Sequence, residues 1–180
     1  MTKSELRHYY ITLRNSITNK DIKSDIICNK IIKDYDFINS KVIALYMNLK
    51  SEVDTSKLIK YSLDNNKIVL LPIVNNDSMD FYRVDNSTKF IKSTFNIYEP
   101  ISSELFLDKN LIDIMIVPGV CFDLSKNRIG FGRGYYDKYL FNTNINTIGI
   151  CFDEQITDKN IDNNNYDVKV KRLISDKRSL

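Results

Sequence analysis

Residues 111–117, Leu-Ile-Asp-Ile-Met-Ile-Val, form an apolar run that passes without a spacer into a glycine-rich segment. That junction limits the fold more than any other feature of the chain. The segment reads Val117-Pro118-Gly119-Val120-Cys121-Phe122-Asp123 and continues as Arg128-Ile129-Gly130-Phe131-Gly132-Arg133-Gly134-Tyr135-Tyr136-Asp137. It holds four of the chain's five glycines. Glycine allows positive φ and lets a ligand approach the main chain closely, so such crowding calls for a local cause. Helical spacing follows at once, from Tyr135 to Phe141. A strand, a glycine-rich loop and a helix in that order belong to open α/β sheets, where ligands sit beyond the carboxyl ends of strands.

The rest of the chain agrees with that frame. Thr2-Lys3-Ser4-Glu5 matches a capping box, and Leu6, Tyr10, Leu13 and Ile17 then recur at helical spacing. Ile22, Ile26, Ile27 and Ile31 suggest a second amphipathic helix. Val42 to Met47 reads as a buried strand, Thr55 to Leu63 as a helix, and Ile68 to Leu71 as the next strand. Phe81 to Val84 follows a polar turn as a further strand. Leu111 to Val117 is the clearest core strand, Thr147 to Phe152 another, and Val168 to Leu173 a weaker terminal one. Alternating strands and helices predict an α/β fold with a mostly parallel sheet. No repeat or linker breaks the chain, so residues 1–180 are expected to form a single domain.

Composition excludes several functions. A net charge of +3 suits an anionic ligand and falls well short of a dedicated nucleic-acid binder. Cys28, Cys121 and Cys151 are widely spaced and include no CxxC pair, which reads as reduced thiols in a cytoplasmic protein. The polar amino terminus does not resemble a secretory signal, and no apolar run reaches membrane-spanning length. His8 is the only histidine, so a zinc centre or a Ser-His-Asp triad has no support.

Amides around Gly130, Gly132 and Gly134 suit an anion-binding nest, and Arg128 and Arg133 would add charge-assisted contacts to phosphate. The spacing is neither the dinucleotide fingerprint nor a Walker A loop, and a plain turn remains an alternative. Tyr135 and Tyr136 would point about 100° apart on a helix, so they cannot share one role. Asp137 reads either as first-turn dipole compensation or as a magnesium ligand. Lys3 and Arg7 share one helix face, ordinarily a solvated basic face. Glu52 stands in a loop between a strand and a helix, where function often concentrates.

Together these segments resemble the 5-formyltetrahydrofolate cyclo-ligase (methenyltetrahydrofolate synthetase) family. Beside the glycine-rich signature, Lys3-x-x-x-Arg7 resembles its amino-terminal ATP motif and Glu52-Val53-Asp54-Thr55 its folate-side loop. Ile97-Tyr98-Glu99-Pro100 and Tyr166-Asp167-Val168-Lys169-Val170 are similar to two further family blocks. The resemblance implies a three-layer α/β/α fold similar to the sugar-phosphate isomerase and CoA-transferase group. It also implies cyclisation of 5-formyltetrahydrofolate to 5,10-methenyltetrahydrofolate, dependent on ATP and Mg2+, with release of ADP and phosphate.

Carried over by position, the ATP-binding residues would be Lys3, Arg7, Arg128, Ile129, Gly130, Phe131, Gly132, Arg133, Gly134, Tyr135 and Tyr136. Met47, Glu52 and Phe95 would face the folate, joined by Phe131, Gly132, Arg133, Gly134 and Tyr135. Arg133 would stabilise the transferring phosphoryl group, and Asp137 and Asp167 would hold magnesium. A monomer binding neither nucleic acid nor membrane is expected. Two alternatives remain at this level: a phosphosugar isomerase or CoA-transferase-like enzyme, and a small RNA-binding protein using the chain's tyrosines for stacking.

Overall fold

The central strands bury both of their faces, which is why they read as unbroken apolar runs. The computed structural model describes residues 1–93, 97–101 and 103–180. It begins with helices α1 (Lys3–Ser16), α2 (Lys20–Ile32) and α3 (Tyr35–Asn39), followed by strand β1 (Val42–Ala44) and helix α4 (Ser56–Asp64). Strands β2 (Ile68–Val74), β3 (Met79–Val84), β4 (Lys89–Lys92), β5 (Tyr98–Ile101) and β6 (Glu104–Leu105) come next. Then follow β7 (Ile114–Pro118), β8 (Cys121–Asp123), β9 (Arg128–Ile129) and helix α5 (Tyr135–Leu140). Strands β10 (Asn146–Ile150), β11 (Ile156–Thr157) and β12 (Arg172–Ile174) complete the chain.

Seven strands form the main sheet in the order β12-β10-β7-β1-β2-β3-β6. The first five run parallel, whereas β3 and β6 are antiparallel at one edge. The fold is therefore α/β with a large, mostly parallel sheet. Alternate residues divide between two cores. Ile43, Leu45, Ile114, Ile116, Ile148 and Ile150 pack on one face with Ile27, Ile31, Phe37 and Leu58 of α2, α3 and α4. Ala44, Leu70, Met115 and Val117 pack on the other with Phe122, Tyr139 and Leu140. That second face is covered by the short α5 together with part of β8, so its outer layer is mixed rather than wholly helical.

The capping box at α1 forms as the sequence predicts. Glu5 N–H donates to Thr2 Oγ1 at 3.2 Å, and Thr2 N–H donates to Glu5 Oε2 at 2.8 Å. The α1 stripe departs from expectation: its buried members are Leu6, Tyr10 and Arg14. On α2 the buried face is Ser24, Ile27, Cys28 and Ile31, while Ile22 and Ile26 lie exposed. Helical phase explains this, since a stripe through Ile27 and Ile31 leaves Ile22 and Ile26 on the opposite side. The expected terminal strand at Val168 begins only at Arg172, and the expected strand at Leu111 begins at Ile114 after a single 3₁₀ turn.

Strand order places the site. Chain progress runs outward from β1 to β2 and β3, then reverses to place β7 on the other side of β1 and continues through β10 to β12. A topological switch point therefore lies between β1 and β7, the position where open α/β sheets bind ligands. The loop carrying Met47 and Glu52 leaves the carboxyl end of β1. The glycine-rich segment follows the carboxyl end of β7.

Candidate active site

A buried carboxylate anchors the glycine-rich segment at its base. Asp123 Oδ1 accepts from the Asn127 amide at 2.8 Å, while Oδ2 accepts from Asn127 Nδ2 at 2.7 Å and the Ile161 amide at 2.9 Å. These bonds fix the hairpin between β8 and β9, and the hairpin presents Arg128. Beyond it, Gly132 and Gly134 adopt φ values of 97° and 67°, a left-handed geometry that residues with a Cβ resist. The helix that follows spans only six residues. Its macrodipole is correspondingly weak, so anion binding depends on loop amides and side-chain cations more than the sequence suggests.

Three cations meet this loop. Arg7 Nε donates to the Gly130 carbonyl at 2.7 Å, which seats the guanidinium of α1 against the glycine run. Arg128 is buried, donates from Nη2 to Asp137 Oδ1 at 2.9 Å, and lies 5.5 Å from the centre of the Tyr136 ring. Lys3 Nζ pairs with Asp167 Oδ2. Arg133 is exposed and makes no hydrogen bond or ion pair among the described residues.

Both expected metal-ligand carboxylates come together here. Asp137 Oδ1 also accepts from the Val168 amide at 3.1 Å, which draws the Asp167 segment toward α5. Asp167 Oδ2 accepts from the Asn164 amide at 2.7 Å as well as from Lys3. Burial raises the Asp167 carboxyl, but the Asn164 amide and the Lys3 ammonium outweigh it and hold it below its ordinary value. Asp137 Oδ2 and Asp167 Oδ1 have no hydrogen bond among the described residues. Two carboxylates with one free hard oxygen each suit magnesium, which takes few protein ligands and completes its shell with phosphate and water.

The opposite wall is buried. Glu52 Oε1 accepts from Arg14 Nη1 at 3.3 Å, and Glu52 Oε2 accepts from the Leu49 amide at 2.9 Å. Burial pushes the Glu52 carboxyl above its ordinary value, while Arg14 and the Leu49 amide pull it partly back. Arg14 Nη1 also reaches the Gly119 carbonyl at 3.4 Å, and its guanidinium lies 5.1 Å from the centre of the exposed Phe131 ring. Met47 is half-buried against the core beneath α2 and α4. Tyr136 lies close enough to Glu52 that the carboxylate's charge adds to the burial that raises its phenol.

The structure thus gathers Lys3, Arg7, Arg128, Gly130, Gly132, Gly134, Tyr136, Asp137 and Asp167 around one loop, with Glu52 and Phe131 beside Arg14. Tyr135 turns away from Tyr136, its hydroxyl donating to the Asn76 carbonyl at 3.4 Å. Ile129 is placed differently from the expectation: its side chain is buried beneath α1 with Leu6 and Tyr10, leaving only its backbone for a ligand. Phe95 lies outside the described residues. Arg14 was missed, although a charge four residues beyond Tyr10 on a buried stripe is the signal that could have found it. Cys28 and Cys121, with thiols pushed up to about 12 by burial, and fully buried Cys151 are packing groups, not nucleophiles.

Comparison with known proteins fits this geometry. The family model for 5-formyltetrahydrofolate cyclo-ligases matches residues 1–176. A probable 5-formyltetrahydrofolate cyclo-ligase of Schizosaccharomyces pombe is 31% identical, the match covering 86% of this chain and 84% of that protein. The 5-formyltetrahydrofolate cyclo-ligase of Mus musculus is 30% identical over 84% of this chain and 81% of its own length. The solution structure of Aquifex aeolicus 5,10-methenyltetrahydrofolate synthetase superposes with a TM-score of 0.86 at 30% identity, covering 99% of this chain and 92% of that one. The corresponding Mycoplasma pneumoniae synthetase gives 0.78 at 26% identity, covering 98% and 99%. With a switch-point loop of matching chemistry and relatives of one kind along nearly its whole length, this chain belongs to the 5-formyltetrahydrofolate cyclo-ligase family.

Proposed function

We propose that this protein cyclises 5-formyltetrahydrofolate to 5,10-methenyltetrahydrofolate at the expense of ATP. The observation that carries the assignment is the arrangement of the glycine-rich loop. One side of it carries Arg7 and Arg128, with Lys3 and two carboxylates beside them, and the other meets Arg14, which holds the buried Glu52. A triphosphate fits the first side, and a carboxylate that accepts from amino and ring N–H groups fits a pterin on the second.

In the reaction, the formyl oxygen attacks the γ-phosphorus and the bond to the β–γ bridging oxygen breaks, releasing ADP. The neighbouring folate nitrogen then attacks the activated formyl carbon, the ring closes, and phosphate departs as that nitrogen's proton passes to it. Neither step needs a strong general base; both need positioning and charge neutralisation. Lys3 and Arg7 bind the phosphates from α1, and Arg128 adds a fixed charge from β9. Arg133, exposed and unpaired, neutralises charge on the moving phosphoryl group. Asp137 and Asp167 would hold magnesium, which would supply charge neutralisation for the phosphates. Met47, Glu52 and Phe131 orient the folate, with Phe95 as a further aromatic surface.

The kinship with sugar-phosphate isomerases and CoA-transferases belongs to this proposal and is supported by the parallel core. A cytoplasmic location is proposed too, supported by three buried thiols outside any disulfide, and the protein is proposed to act as a monomer. Among the described residues, no helix is long and apolar enough to cross a membrane. Purified protein supplied with 5-formyltetrahydrofolate, ATP and magnesium should generate the near-ultraviolet absorbance of the methenyl product. Turnover that survives EDTA would favour an isomerase or transferase reading. Steeply salt-dependent RNA binding with no response to ATP or folate would favour an RNA-binding one.

A further inference from the structure

Arg14 is the largest group in the site that the proposed chemistry leaves without a role. It is almost wholly buried, at 2% exposure, and an isolated charge at such depth is strongly disfavoured. Its contacts join three segments that are far apart in sequence: Glu52 after β1, Gly119 after β7, and Phe131 in the glycine run. Every other described side-chain donor nearby with a bond of its own has spent it elsewhere. The Tyr46 hydroxyl donates to the Val53 carbonyl at 3.1 Å, and Gln155 Nε2 donates to the Gly119 and Val120 carbonyls at 3.0 and 2.8 Å.

Each Glu52 oxygen therefore uses one acceptor position and keeps another. Arg14 Nε is buried with no partner among the described residues. An unpaired buried donor costs free energy until a ligand or water satisfies it. The two vacant Glu52 acceptors complement the amino group and ring N–H on the edge of a 2-amino-4-oxo pyrimidine ring.

Resting on the folate reading above, we propose that Arg14 is the positioning residue that fixes the Glu52 carboxylate toward the donor edge of the pterin. Arg14 acts through Glu52, by holding one oxygen while the Leu49 amide holds the other. Its positive charge also opposes the burial that raises the carboxyl. Charged and titratable groups facing Glu52 are Arg14 from α1, Tyr46 beyond β1 and Tyr136 from α5; of these, only Arg14 is cationic.

The test compares Arg14→Met, Arg14→Lys, Glu52→Gln and the Arg14→Met/Glu52→Gln double variant. Calorimetric binding of 5-formyltetrahydrofolate without ATP is measured with the pH profile of kcat/KM for folate. Arg14→Met should weaken folate binding about tenfold or more. It should also move the acid limb to higher pH, while KM for ATP changes by less than about twofold. Arg14→Lys should recover part of the acid-limb shift. In the Glu52→Gln background, Arg14→Met should add nothing further. Unchanged folate affinity and an unmoved acid limb in Arg14→Met would overturn the proposal, even if stability falls. Should Arg14→Met fail to fold, Arg14→Lys decides: binding and acid limb both equal to wild type would overturn it. Wild-type protein that neither binds nor turns over 5-formyltetrahydrofolate would overturn the folate reading itself. Carboxyl NMR of Glu52 in the free protein then still reports whether Arg14 governs its titration.

Discussion

The two sides of the glycine-rich loop both hold ion pairs, but of opposite kinds. Lys3–Asp167 has side chains 29% and 21% exposed, whereas Arg14–Glu52 has 2% and 7%. The accessible pair exchanges partners at little cost, because water solvates each charge as it lets go. The buried pair cannot, since either charge left alone would be stranded in low dielectric. One side is thus suited to admitting and releasing a highly charged nucleotide. The other, being fixed, suits the planar, mostly neutral ring of the proposed folate substrate.

Removing one half of the buried pair should produce the largest effect. Glu52→Ala should cost about 3–5 kcal/mol of stability in urea unfolding by stranding Arg14. Asp167→Ala on the accessible side should cost no more than about 1 kcal/mol. Equal losses would erase the distinction. Next in size, Asp137→Asn should lower kcat by about 10²-fold at saturating magnesium while the fold persists, as seen by circular dichroism. Lys3→Ala should raise the apparent KM for ATP by about tenfold with kcat little changed, provided its phosphate contact is alike in ground and transition states.

The smallest effect is a difference of sign in the pH dependence of stability. Asp153 is lowered chiefly by its Arg178 hydrogen bond, so its contribution is present above the unfolded pKa and lost as pH falls through the folded one. Glu52 is raised by burial despite its arginine, so its contribution is present at low pH and lost as pH rises through the folded pKa. Thermal melts should therefore show Asp153→Asn narrowing its deficit against wild type on acidification. Glu52→Gln should lose ground to wild type over the same change.

Much of this contrast is visible in the sequence on the phosphate side and little of it on the other. Arg128 and Asp137 lie in the glycine-rich segment whose spacing alone suggests an anion site, whereas Lys3 and Arg7 read as a solvated basic face and gained an ATP role only through the family resemblance. Asp167 needed the family resemblance, because a lone aspartate in an Asn-rich loop carries no periodic signal. Arg14 was hidden by the helical pattern, since Leu13 and Ile17 offered a plausible apolar continuation of Leu6 and Tyr10. The buried arginine is decided by a partner 38 residues away. Ile129 shows the converse error: a residue inside a ligand-binding motif whose side chain serves the core beneath α1. The existence of β1, β2, β3, β7, β10 and β12 was legible from their apolar runs, whereas the short strands β4, β5, β6, β8, β9 and β11 were not. The early end of β1 and the late start of β12 depend on tertiary hydrogen bonding that no local pattern displays.

In the proposed site, one loop joins an ATP side to a folate side. The most direct test of that arrangement is the near-ultraviolet absorbance of 5,10-methenyltetrahydrofolate formed from 5-formyltetrahydrofolate, followed against ADP release in the same cuvette. Absorbance and ADP should rise together, one for one, only when ATP and magnesium are both present, and both should collapse in Asp137→Asn. ADP release without methenyl product, or no product under conditions where a known cyclo-ligase turns over, would contradict it.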